Sequence, residues 1–90
     1  MGNYPYSYLC QCYDFEGREF GPPIVWRTAA WAKTWSRYRV IIQQETTPVM
    51  HVRITRRKIG TYIDEPYMLV WFDNKTGQPT QTKKKENLIK

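Results

Sequence analysis

The segment from Arg27 to Lys58 constrains the fold more than any other, because a helical pattern passes into a strand pattern with no Gly or Pro between them. The first part, from Thr28 to Arg37, predicts a short helix with the Thr28 hydroxyl as its N-cap. On a helical wheel Trp31, Trp35 and Tyr38 form one narrow stripe. We expect this stripe to pack on a sheet. The alternative is that one of the Trp rings contacts a partner.

The second part of the segment predicts a β-hairpin with arms at 38–44 and 48–57. The first arm is assigned to a strand because its Val40-Ile-Ile42 run favours extended backbone. The second arm alternates strictly, with one face formed by Met50, Val52 and Ile54 and the other by His51, Arg53, Thr55 and Arg57. The hairpin therefore predicts a sheet with one apolar face and one basic face.

Strand patterns also flank this segment on both sides. Tyr4–Phe15 indicates a strand, followed by a turn and by short extended stretches at 18–20 and 24–26. Tyr67–Phe72 is apolar on both faces, which is typical of a strand in the middle of a sheet. The sequence thus predicts the α+β class: one short helix packed on an antiparallel sheet of four or five strands, in the order ββαβββ.

The composition changes after Asp73. From Asn74 to Lys85 the chain has no apolar residue to bury. Residues 1–73 are therefore predicted to form a single domain, and residues 74–90 a flexible, disordered basic tail.

The net charge of +6 is unevenly distributed along the chain. The Arg27–Lys58 segment has eight basic residues and one acidic residue, Glu45, whereas residues 1–26 carry −2 and residues 59–73 carry −3. Such a two-signed chain favours an anionic partner that binds at one surface. The predicted partner-binding residues are Arg39, His51, Arg53, Arg57 and Lys58.

The sequence contains no recognisable catalytic or metal-binding motif. The single histidine lies in a basic strand, and the five glycines do not form a phosphate-binding loop. The carboxylates Asp14, Glu16, Asp64 and Glu65 are expected in turns, exposed to solvent. We expect no enzymatic activity, no cofactor and no metal site.

Two further features bear on the location of the chain. Cys10 and Cys12 point the same way on a strand, which favours reduced thiols and a cytoplasmic location. No run of about 18 apolar residues exists, so no membrane span is expected.

Two functions remain as hypotheses. The first is a small inhibitor or adaptor that docks on a larger protein through an acidic surface of that partner, with aromatic residues supplying affinity. In size and composition the chain resembles short accessory proteins of phages, and this resemblance implies binding to host enzymes or defence complexes. The second is a single-stranded nucleic-acid-binding module that uses the basic strand face. Self-association through an edge strand is a further expectation.

Overall fold

The computed structural model describes residues 5–42 and 49–82. Its elements in chain order are β1 (Tyr6–Tyr13), β2 (Ile24–Trp26), α1 (Ala29–Ile42), β3 (His51–Lys58), β4 (Asp64–Asp73) and β5 (Gln78–Thr82). The five strands form one antiparallel sheet in the order β2-β1-β3-β4-β5, and α1 packs on one of its faces. The predicted α+β class and the order ββαβββ are confirmed.

The middle of the sheet is β3, which pairs with β1 on one side and with β4 on the other. Val52 and Ile54 point towards α1 and are fully buried. They lie beside Cys10 and Cys12 of β1 and Met68 and Val70 of β4, which are buried on the same face. The alternation predicted for residues 51–57 is therefore correct. The partners of β3 are β1 and β4, not the predicted arm at 38–44.

The inner face of α1 is built from small and medium-sized side chains. Ala32, Ser36 and Val40 are four residues apart, and each is fully buried against the sheet. Side chains at this spacing lie on the same side of a helix. Their small size leaves room for the larger apolar side chains that the sheet presents to the helix.

The predicted strand at 38–44 is wrong over residues 38–42, because α1 continues to Ile42, and residues 43–44 lie outside the described residues. Val40 lies on the buried face of the helix, so its burial outweighs the strand preference of the Val-Ile-Ile run. The predicted turn at 45–48 lies outside the described residues.

The boundary predicted at residue 73 also needs correction. Gln78–Thr82 forms β5 and pairs with Leu69–Asp73 of β4. The turn between the two strands depends on Gly77, which adopts a φ of 73° and donates its backbone N–H to the Asp73 carbonyl at 2.8 Å. The lack of apolar residues in this stretch predicts a tail, but an edge strand can form from polar residues. Residues 83–90, the remainder of the predicted tail, lie outside the described residues.

Candidate functional site

The five predicted partner-binding residues do not share one surface. His51, Arg53 and Arg57 alternate with the buried residues of β3, so they lie on the sheet face that points away from α1, called here the open face. Lys58, two residues beyond Arg56, lies on the side that carries α1. Arg39 belongs to α1, so its predicted place on a strand beside Arg53 is wrong.

Arg39 takes part in the contact between the helix and the sheet. Its guanidinium carbon lies 5.6 Å from the centre of the Trp35 ring, and the side chain is half-buried. It also lies near the Cys12 thiol. This position gives Arg39 a role in packing.

The thiols beneath α1 are poorly suited to nucleophilic chemistry. Cys10 and Cys12 are free and buried. Burial raises the pKa of Cys10 to about 11, and the Ser36 hydroxyl lowers it by less. Burial also raises the pKa of Cys12, against a smaller opposing effect of Arg39. Both groups are thiols, not thiolates, near neutral pH.

On the open face, aromatic and basic groups meet at one end of the central strands. The rings of Tyr13 and His51 stack with centroids 4.9 Å apart, and the guanidinium carbon of Arg53 lies 5.2 Å from the Tyr13 centroid. Trp71 faces His51 from β4. The Nε atom of Arg53 is buried and has no hydrogen-bond partner among the described residues. These contacts place an aromatic row beside one guanidinium group.

The third basic residue of the open face is paired within the chain. Arg57 donates two hydrogen bonds to the Asp64 carboxylate, at 2.6 and 3.0 Å. These bonds hold the pKa of Asp64 below its usual value and raise the pKa of Arg57. Arg57 is therefore ion-paired with an acid of the adjacent strand, so the open face is less basic than the sequence predicted.

The pKa of His51 is lowered, first because burial disfavours the imidazolium and second because Arg53 is nearby. Neutral His51 therefore stabilises the fold above its unfolded-state pKa of about 6.5, and this contribution is lost as the pH falls through that value and then through the lower folded-state pKa. We expect the free energy of unfolding to decrease between about pH 7.5 and pH 5.5. Urea denaturation across that range measures it. The His51→Gln variant is the control, because the chain has no other histidine. An equal decrease in the variant would assign the effect to other groups.

The largest departure from the sequence analysis lies on α1. Trp31, Tyr38 and Ile41 point into solvent and are 60%, 58% and 46% exposed. Together with the exposed Thr34 they form a continuous stripe, called here the outer face of α1. Trp35 is half-buried and packs at the edge of the core. The predicted packing of the whole Trp31–Trp35–Tyr38 stripe on the sheet is therefore wrong, and the spacing of Ala32, Ser36 and Val40 was the signal that would have located the inner face.

A groove opens where β2 passes into α1. The rings of Trp26 and Trp31 stack there with centroids 5.9 Å apart and an interplanar angle of 16°. The groove has a volume of about 300 Å³ and is lined by Val25, Trp26, Arg27, Thr28 and Trp31. The Thr28 hydroxyl accepts a hydrogen bond from the Trp31 N–H at 3.2 Å, as the predicted N-cap requires. We call this feature the indole groove; it continues into the outer face of α1 through Trp31.

A second exposed apolar group lies in the loop between β3 and β4. It consists of Ile59, Tyr62 and Ile63, of which Tyr62 is 91% exposed. Part of this loop is held by the backbone, since the Ile59 N–H donates to the Pro5 carbonyl at 2.8 Å. The group is separate from the outer face of α1 in sequence.

Residues 5–42 and 49–82 offer neither a metal-ligand cluster nor a membrane-spanning helix. In that part of the chain, no three His, Cys, Asp or Glu side chains lie close enough together to hold a metal ion. None of its helices combines the length and the apolar character needed to cross a membrane.

Comparison of the chain with protein-family models, with curated proteins and with solved structures gives no match.

Proposed function

We propose that this is a non-catalytic binding protein that docks on a larger protein and modulates or inhibits it. The observation that carries the proposal is the outer face of α1, where Trp31, Tyr38 and Ile41 lie in solvent although the same helix buries Ala32 and Ser36. Because the helix buries these smaller side chains and exposes an indole ring, it leaves an apolar surface in solvent. Contiguous exposed apolar surface is typical of interaction sites.

The spacing of the outer face fits a known recognition mode. Trp31, Thr34, Tyr38 and Ile41 follow one another at intervals of three, four and three residues, which aligns them along one side of the helix. Helices that bind in the groove of a partner present their anchors at this spacing. Trp and Tyr are also the residues that most often dominate binding energy in protein interfaces, where truncating one costs about 2 kcal/mol or more.

Binding to single-stranded nucleic acid is the second candidate, and the open face favours it through Tyr13, Trp71 and Arg53. Aromatic rings and a guanidinium on an open sheet are the groups that stack on bases and contact phosphates. Three contacts rank it lower. Tyr13 is already stacked on His51 and approached by Arg53, and Arg57 is paired with Asp64.

The test is capture of partners on the immobilised protein from a bacterial lysate, with and without added nuclease. The Trp31→Ala/Tyr38→Ala variant should lose the captured protein, because a loss of about 2 kcal/mol weakens binding about thirtyfold. The matched control is Phe15→Ala/Tyr62→Ala, which also removes two exposed aromatic rings but leaves α1 intact. Circular dichroism confirms that both variants fold.

The outcomes separate the candidates. A protein retained by the wild type and the control but lost from the α1 variant supports docking through α1. Loss only from the control would move the docking surface away from α1. Material that disappears when nuclease is added would replace the proposal with nucleic-acid binding.

A further inference from the structure

We propose that the partner presents an acidic segment whose apolar or aromatic side chain enters the indole groove while its carboxylates face the cations of α1. This inference rests on the proposed function and adds the chemical class of the partner. It follows from the shape of the groove, from the charge around it and from the mismatch of other segments of this chain.

The indole groove is suited to one large apolar side chain. Its volume of about 300 Å³ is open to solvent, and the parallel Trp26 and Trp31 rings form part of its lining. A ring or branched aliphatic group placed against two indoles buries apolar area on the partner and on Trp31 together. Val25, which is exposed on β2, extends the apolar lining.

The charged side chains from Arg27 to Ile42, which border the groove and continue along α1, are all of one sign. From Arg27 to Ile42 the chain contains Arg27, Lys33, Arg37 and Arg39 and no acidic residue. The first turn of α1 also lacks an acidic side chain, so the positive end of the helix dipole is not compensated there by the helix's own residues. Lys33 and Arg37 are one turn apart on the flank of the outer face that points towards β4 and β5, where Arg37 donates to Gln81 at 2.6 Å. A partner with carboxylates beside its apolar anchor matches this surface.

Other occupants from the same chain do not match. Residues 83–90 contain four lysines and one glutamate, so they would add like charge to α1. A second copy that packed α1 against α1 would oppose the same cations, and like charges across an interface are unfavourable.

The distance from Trp31 to Ile41 is about 15 Å along the helix, which one short acidic segment can span.

The experiment uses two fluorescein-labelled synthetic peptides of about twelve residues, long enough for three helical turns. One carries glutamates around a central Phe and two Leu residues, and the other has every glutamate replaced by glutamine. Fluorescence anisotropy with the full chain at about 50 mM salt should give at least about tenfold tighter binding of the acidic peptide, and the difference should shrink at about 300 mM salt because salt screens surface charges.

Variants of the chain locate the contact. Trp31→Ala and, separately, Tyr38→Ala should each weaken the acidic peptide about tenfold or more. Lys33→Gln/Arg37→Gln should weaken the acidic peptide and leave the glutamine peptide unchanged. The matched control is Arg18→Gln/Lys75→Gln, which removes two exposed cations outside α1 and should change neither peptide.

Three results would overturn the inference: equal affinity for the two peptides, equal losses in the α1 and control charge variants, or tighter α1-dependent binding of a single-stranded oligonucleotide used as a competitor. If the lysate experiment retains a protein through α1 while the acidic peptide does not bind, docking stands and the acidic class of partner is rejected. If both experiments fail, the proposed function fails with it.

Discussion

Replacing Ile54 with Ala should lower the free energy of unfolding by about 2–5 kcal/mol. Ile54 is 0% exposed and lies in the central strand, with Cys10 and Met68 as its neighbours across the sheet. The loss combines the transfer of the removed methyl groups with the cavity that remains beneath α1. Since small domains are stabilised by only about 5–15 kcal/mol, one such substitution removes a large share of the total.

The matched control is Ile59→Ala, which removes the same atoms just beyond the end of β3. Ile59 is 62% exposed, so the change should stay within about 0.5 kcal/mol. Urea denaturation followed by Trp fluorescence measures both variants under the same conditions. Equal losses at the two positions would contradict the assignment of Ile54 to the centre of the core.

The alternation of β3 could be predicted from the sequence because it depends on neighbouring residues alone. Val52 and Ile54 are buried, and Arg53 lies on the opposite face, as the period of two requires. The strand patterns at the start of the chain and at 67–72 were recognisable for the same reason. The fold class followed from these local patterns.

The course of α1 could not be read from local preference. Val40 and its neighbours favour a strand, but Val40 is buried in the core as part of α1. Arg39 therefore lies on the helix and not on the predicted strand. The hydrophobicity of Trp31 also predicts that it lies in the core, whereas its side chain is exposed. The space between the helix and the sheet instead accommodates Ala32 and Ser36, which lie against Cys10 of β1, a contact between distant parts of the chain.

The pairing of distant strands was likewise beyond sequence reasoning. β3 pairs with β1, which is separated from it by β2 and α1, and nothing in a single sequence specifies that contact. The charge pattern located a basic segment correctly but could not show that Arg57 pairs with Asp64. The predicted binding residues are also divided among the two faces of the sheet and the helix.

The edge strand β5 gives a second prediction with a large effect. Ending the chain after Asp73, the boundary that the sequence predicted, should lower the free energy of unfolding by about 2–5 kcal/mol, because several backbone hydrogen bonds worth about 1 kcal/mol each are removed. Leu69–Asp73 would lose all their partners in β5, and Arg37 would lose the side chain of Gln81. β4, which contains the buried Val70, would then be an unpaired edge strand.

A chain that ends after Thr82 is the control, because it keeps every contact made between β5 and the rest of the described chain. We expect its denaturation midpoint to match that of the full chain and the midpoint of the 1–73 chain to fall well below both. Equal stability of all three chains would mean that β5 contributes nothing to the fold. A decrease in both truncated chains would instead assign the stabilisation to residues 83–90, and the boundary of the folded domain would then lie beyond Thr82.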